Sequence, residues 1–160
     1  MAVKIYSTAY YYTTVRDVPG EACRLLERLA DEHVNLLAFN ALPIGPDETR
    51  MMIYPLNPVW LTEMARKTGL RLDGPHHAFI VHGDDELGAL VDIHQNLCDS
   101  DINVTNSSGI SDGKGGYRYI LHVVPEDYER AEKILGADHV PAHWDNFQLK
   151  VPRHFQQIQL

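Results

Sequence analysis

Two short segments carry residue types that could bind a charged small molecule. Asp17-Val18-Pro19-Gly20 and Asp85-Glu86-Leu87-Gly88 each place an aspartate three residues before a glycine, ahead of a helix-like run. A glycine in a strand-to-helix turn exposes backbone N–H groups at a helix N-terminus, and these take an anion such as a carboxylate. Asp17 or Asp85 could receive an ammonium group. Asn35 and Asn103 stand fifteen residues beyond Gly20 and Gly88, where the next strand opens. A carboxamide both donates and accepts, so it suits the polar backbone of an amino acid. The expected ligand contacts are therefore Asp17, Val18, Pro19, Gly20 and Asn35 in one segment, and Asp85, Leu87, Gly88 and Asn103 in the other, with each asparagine beside its turn. The same residues also have a purely structural reading, in which the glycines permit the turns and the polar side chains cap them.

Other chemistry finds less support. There is no G-x-S-x-G nucleophile elbow and no Walker loop. Gly113-Lys114-Gly115-Gly116 reads as a hairpin tip, because no helix follows it to cradle a phosphate. Cys23 and Cys98 fall at non-equivalent helix positions, and packing explains them. His76 and His77 are adjacent and diverge in an extended segment, while Pro141 separates His139 from His143, so the nine histidines read as scattered and no metal or cofactor is expected. Gly116-Tyr117-Arg118-Tyr119-Ile120, with Phe79, imitates the paired aromatics of RNA-recognition motifs. A net charge of −8 opposes that reading, and opposes binding to an anionic membrane. Two cysteines, no apolar run near ~20 residues and no apolar leader point to a cytoplasmic protein, and the missing nucleophile and phosphate motifs to a non-catalytic one.

The elements that would position the two loops come from an internal repeat. Writing residue i over residue i+68 aligns Asp17 with Asp85, Gly20 with Gly88, Leu29 with Leu97, Asn35 with Asn103 and Arg50 with Arg118. In the first copy, 10–15 is aromatic and β-branched, hence a strand. Ala22, Leu25, Leu26 and Leu29 recur at helical spacing. Strands follow over 34–42 and 50–56. Asn57-Pro58 then opens a second helix that Gly69 ends, and 70–72 forms a short fourth strand. The second copy repeats this: strand 78–82, a helix through Leu90, Ile93 and Leu97, a hairpin of 102–110 with 117–124, a helix from Pro125 to Gly136, and a last strand over 139–141. Each copy is a βαββαβ ferredoxin-like unit. The predicted fold is α+β: two units side by side, with the helices on one face of an antiparallel sheet. The domains run 1–73 and 74–141, joined through the turn-like 73–76, with an apolar extension over 142–160.

The loop Asp17 to Ala22, the helix ending at Leu29-Ala30, and His33-Val34-Asn35-Leu36 resemble the ACT domain. The second copy, Asp84 to Leu90 and Ile102-Asn103-Val104, is similar to it, with Leu87 where the family has proline. The resemblance covers residues 9–136 and points to stand-alone tandem ACT proteins. It implies a regulatory protein without a catalytic domain, binding a small amino acid or related carboxylate between paired modules and acting on a metabolic enzyme. The alternative is a protein-interaction or oligomerisation module with a vestigial ligand site. RNA binding is the distant third. Tyr117, Tyr119, Thr49 and Met51 alternate along the helix-free sheet face or its reverse, and the tyrosines are expected to pack on another sheet or on the extension. A homodimer burying the open face, the extension or both follows from that expectation.

Overall fold

The computed structural model describes residues 3–141, so the extension 142–160 and the docking expected of it lie outside the described residues. The elements are β1 (Lys4–Arg16), α1 (Glu21–Asp31), β2 (Leu36–Pro43), β3 (Glu48–Pro55), α2 (Pro58–Thr68), β4 (Asp73–Asp84), α3 (Val91–Asp99), β5 (Val104–Ser111), β6 (Gly116–Val123), α4 (Tyr128–Leu135) and β7 (Asp138–His139). Local chemistry sets their ends. Asn57 accepts the Trp60 N–H at 3.1 Å and Pro58 occupies the first turn of α2. Pro125–Asp127 forms a 3₁₀ turn that leads into α4.

The repeat is visible bond by bond. The Asp17 N–H donates to the Asp47 carbonyl at 2.8 Å, and Asp85 donates to Gly115 at 2.8 Å. Val34 donates to Leu29 at 2.8 Å, and Ile102 to Leu97 at 2.9 Å. His33 and Asp101, again 68 apart, have φ of 56° and 55°. Equal spacing thus gives equal backbone geometry, including the left-handed residue after each first helix.

The two units share one seven-stranded sheet of order β2-β3-β1-β4-β6-β5, with β7 attached to β1. The fold is α+β and ferredoxin-like, as the repeat predicts. Its seam is the antiparallel pairing of β1 with β4, which runs from Lys4 opposite His82 to Tyr10 opposite His76. Three details differ from the sequence reading. Residues 73–76 are the first part of β4 and not a turn. Residues 70–72 form no strand, because the chain passes directly into β4 with no room to reverse; Leu70 and Leu72 pack on the first core instead. The last strand is Asp138–His139, and it runs parallel to β1 at Tyr6 and Ser7 rather than beside β4. The edge of β4 it would take is occupied by β1, whereas β3 pairs only with Tyr11–Arg16 and leaves the N-terminal half of β1 open.

Alternation along β1 shows where the helices lie. Tyr11 packs with Leu25 and Leu29 of α1 and Leu61 of α2, and Ser7 donates to Glu132 of α4. These odd positions share one sheet face, so both helix pairs cover that face. Tyr117, Tyr119 and Met51 also lie beneath helices and are buried. The expectation that the two tyrosines pack on another sheet or on the extension is corrected: helix α3 covers them.

The opposite face is concave. The Tyr54 hydroxyl on β3 donates to His122 Nε2 on β6 at 2.8 Å, although two strands intervene. In a flat sheet those strands would lie about 14 Å apart, at ~4.8 Å per step. Curling closes the gap. Tyr54 and His122 are repeat equivalents, 68 apart, so they meet at the pseudo-twofold centre, with Tyr10 against both rings at 5.1 and 5.2 Å. His122 Nδ1–H donates to the Asn106 carbonyl, which leaves Nε2 as the acceptor of a neutral imidazole.

Burial lowers the pKa of His122, partly offset by that bond. Burial, Arg118 and Lys4 lower that of His82 to about 4. An unfolded histidine titrates near ~6.5. Protons therefore bind the unfolded chain better, and the stability these groups provide is full above pH ~6.5 and declines as pH falls below it. The urea midpoint is expected to drop between pH 7.5 and pH 5, with a smaller drop in His82→Gln. A flat or opposite pH dependence would contradict this assignment.

Candidate functional site

The second glycine loop borders a cleft of about 510 Å³, lined among others by Asp85, Gly88, Val91, Gly109, Ser111 and Tyr117. The loop is held at its first residue by two bonds. The Asp85 N–H is bound to Gly115, and its carboxylate accepts the Ser111 hydroxyl at 2.6 Å. The tip beyond is tied by Asp112, which accepts the N–H groups of Lys114 at 2.7 Å and Gly116 at 2.9 Å; those bonds hold its carboxyl below the usual carboxylate range. Gly88 has φ +84°, where an added Cβ would meet only Val91 Cγ2 at 3.7 Å. The constraint on this residue is its backbone conformation and not space.

Within the loop, Glu86 donates to the Asp84 carbonyl at the end of β4, and Ala89 and Val91 donate to carbonyls of the turn. The N–H groups of Leu87, Gly88 and Leu90 donate to no acceptor among the described residues. Leu87 stands where the first copy has Pro19, so the second loop offers one more donor. At the floor of the cleft, Tyr117 is 8% exposed and its hydroxyl has no hydrogen-bond partner among the described residues. Burial raises its pKa. Tyr119 beside it bonds His94 Nε2 through its hydroxyl at 2.7 Å, a contact the sequence reading missed.

The first loop has the same backbone path with different surroundings. Gly20 has φ +95° and no side chain caps α1. Asp17 accepts the Thr49 hydroxyl at 3.0 Å, and Val18 and Pro19 are exposed. The Arg24 guanidinium lies over Gly20, 3.8 Å from where a Cβ would be, and pairs with Glu21 at 2.6 Å.

The asparagines are not beside these turns. Asn35 follows the C-terminal end of α1, an 11-residue helix about 16 Å long at ~1.5 Å per residue. It therefore sits at the end of the unit opposite Gly20, where its side chain accepts the N–H of Leu36 at 3.0 Å. Asn103 follows α3 in the same way and lines a separate cleft with Asp101 and His94. A helix between two strands carries the chain across the whole sheet, so its two flanking loops cannot meet.

The remaining candidates find ordinary partners. His76 pairs with Asp73 at 2.6 Å and His77 stacks on Tyr128 at 4.8 Å. His143 lies outside the described residues. Among the described residues no group of three or more His, Cys, Asp or Glu side chains could hold a metal ion. No described helix is long and apolar enough to cross a membrane. Phe79, Tyr117 and Tyr119 are buried under helices, which removes the exposed aromatic platform that an RNA-recognition motif uses.

No family model matches the sequence, and no curated protein does. Solved structures do. A protein from Bacteroides thetaiotaomicron is 12% identical with a TM-score of 0.67, covering 85% of this chain and 92% of its own. The regulatory subunit of aspartate kinase from Thermus thermophilus is 13% identical with a TM-score of 0.60, covering 85% and 96%. That from Thermus flavus is 13% identical with a TM-score of 0.57, covering 84% and 94%. The chain has the tandem ACT-type fold, and its glycine loops occupy the strand-to-helix turns of both units.

Proposed function

We propose that this protein is a regulatory module that binds a small amino acid or related carboxylate at its glycine loops and carries no catalytic step. The observation that supports this most is the Gly88 cleft: three uncommitted backbone N–H groups, with Asp85 held at the edge and a buried, unpartnered hydroxyl beneath. The N–H groups suit a carboxylate, and the free oxygen of Asp85 suits an ammonium group. Asp17, Val18, Pro19 and Gly20 form the equivalent site in the first unit.

The cleft is open, and its rim is apolar. Leu87 is fully exposed, Val91 is 59% and Ile110 is 71% exposed. A second copy seated on this rim would enclose the ligand and bury that surface, in a homodimer. Neither asparagine can share a ligand with the glycine loop of its own unit, because a helix length separates them. The similarity to aspartate kinase regulatory subunits makes a metabolic enzyme the natural reader of the bound state. Ligand would favour one pairing of modules, and the partner would respond to that population shift.

A thermal-shift screen of the twenty amino acids tests the reading. At a hundredfold excess over Kd a ligand adds about 2.7 kcal/mol, which raises the Tm of a chain this size by roughly 5–10 °C. A flat response to all twenty would overturn it.

A further inference from the structure

On the helix-free face, the curl brings β2 and β5, the two outer strands of the sheet, to opposite sides of one cleft of about 440 Å³. It is separate from the Gly88 cleft, which opens by the helices; the two share Gly109, Ile110 and Arg118 as a common wall. Strand register places its chemistry. Arg118 stands between His82 and Ile110, and Ile120 between Ile80 and Ser108. These even positions all point to the concave side. Ile80, Ile110 and Ile120 make an apolar wall, and Asn40 and Ser108 add polar groups.

Arg118 is the one side chain lining this cleft whose charge is permanent. Its guanidinium donates to the His82 imidazole at 2.7 Å and makes no ion pair among the described residues. Its repeat equivalent, Arg50, lies instead over the Tyr12 ring, 4.2 Å from the centroid. Lys4, directly opposite His82 on β1, adds a second positive charge at this end of the face. In a chain of net charge −8, a fixed guanidinium against an apolar wall favours a negative ligand at this one place. A concave site with apolar walls and few polar groups, at the mouth of a curled sheet, has the size and make-up of a small-molecule pocket.

We propose that this concave cleft is a second ligand site, for a small carboxylate with an apolar body: the carboxylate on Arg118, the hydrocarbon against Ile80, Ile110 and Ile120. It differs from the glycine-loop site in needing no ammonium group.

The test uses the full chain with phenylacetate and hexanoate as probes and phenylacetamide as the uncharged control. Calorimetry is expected to show both acids binding, with the amide weaker. Arg118→Gln is expected to weaken the acids at least about tenfold, the loss of one charge-assisted contact. Gly88→Val should leave them unchanged, which separates this site from the glycine loop whatever that loop binds. Arg118 is exposed, so its replacement leaves the core intact; Ile110→Glu, on the rim, is a second variant that should exclude the acids by repulsion. With isoleucine-methyl labelling, resonances of Ile80 and Ile120 should move on titration, and that of Ile93, on the buried side of α3, should not. Equal affinity in Arg118→Gln, shifts confined to Ile93, or no binding at millimolar probe would each overturn the proposal.

Discussion

Replacing Phe79 with alanine is expected to destabilise the protein by about 3–5 kcal/mol, the loss that follows from emptying a fully buried aromatic site. Phe79 is completely buried in the second core, and its ring stacks on Tyr128 of α4 at 4.9 Å and 17°. Its backbone pairs with Ser7 on one side and Leu121 on the other, so it stands where the seam strand meets the second unit. Truncation would leave a void between a sheet paired on both sides and a helix anchored by Ser7 and Glu132, neither free to close on it. Urea denaturation measures the loss, and Tm should fall by roughly 6–20 °C. Val59→Ala, at an exposed position of α2, is the control and should stay within about 0.5 kcal/mol. A Phe79→Ala variant as stable as that control would show that the packing around β4 is not what holds the units together.

Gly88→Val is expected to abolish the thermal shift given by whichever amino acid binds, while the protein stays folded. A residue at φ +84° is comfortable only without a side chain, and a β-branched one would force the loop to another path at a penalty of about 1–2 kcal/mol. That path would redirect the uncommitted N–H groups of Leu87, Gly88 and Leu90. The space itself is open, since only Val91 Cγ2 comes near, so the variant reports on backbone direction and not on steric filling. Gly20→Val makes the same change at φ +95° in the first unit. Losing the shift in one variant alone identifies the working loop, and losing it in both indicates coupled sites. An unchanged shift in both would remove the ligand from the glycine loops.

Much of this arrangement was legible in the residues themselves. The offset of 68 is a property of the chain, and equal local sequences made equal turns, down to the left-handed His33 and Asp101. Asn57, Pro58 and Gly69 bound α2 through contacts a few residues long. Leu25, Leu29, Ile93 and Leu97 are buried because helical spacing puts them on one stripe. Both glycines lie in strand-to-helix turns for the same local reason.

What the sequence did not determine depends on which strand edges are free once the units meet. Residues 73–76 carry Gly and Pro and read as a turn, yet Asp73 and His76 pair with β1 at the seam, and Gly74 and Pro75 form a bulge between them. The last strand went to β1 because β1 had already taken the edge of β4. The placement of Asn35 opposite Gly20 follows from a helix length combined with strand direction, and no motif records that. Alternation shows that Tyr117 and Tyr119 share a face but not which face the helices cover. The contact of Tyr54 with His122, and the concave cleft beyond it, arise from curvature accumulated over the whole sheet. Curvature sums small twists between neighbouring strands, so only the assembled sheet decides it.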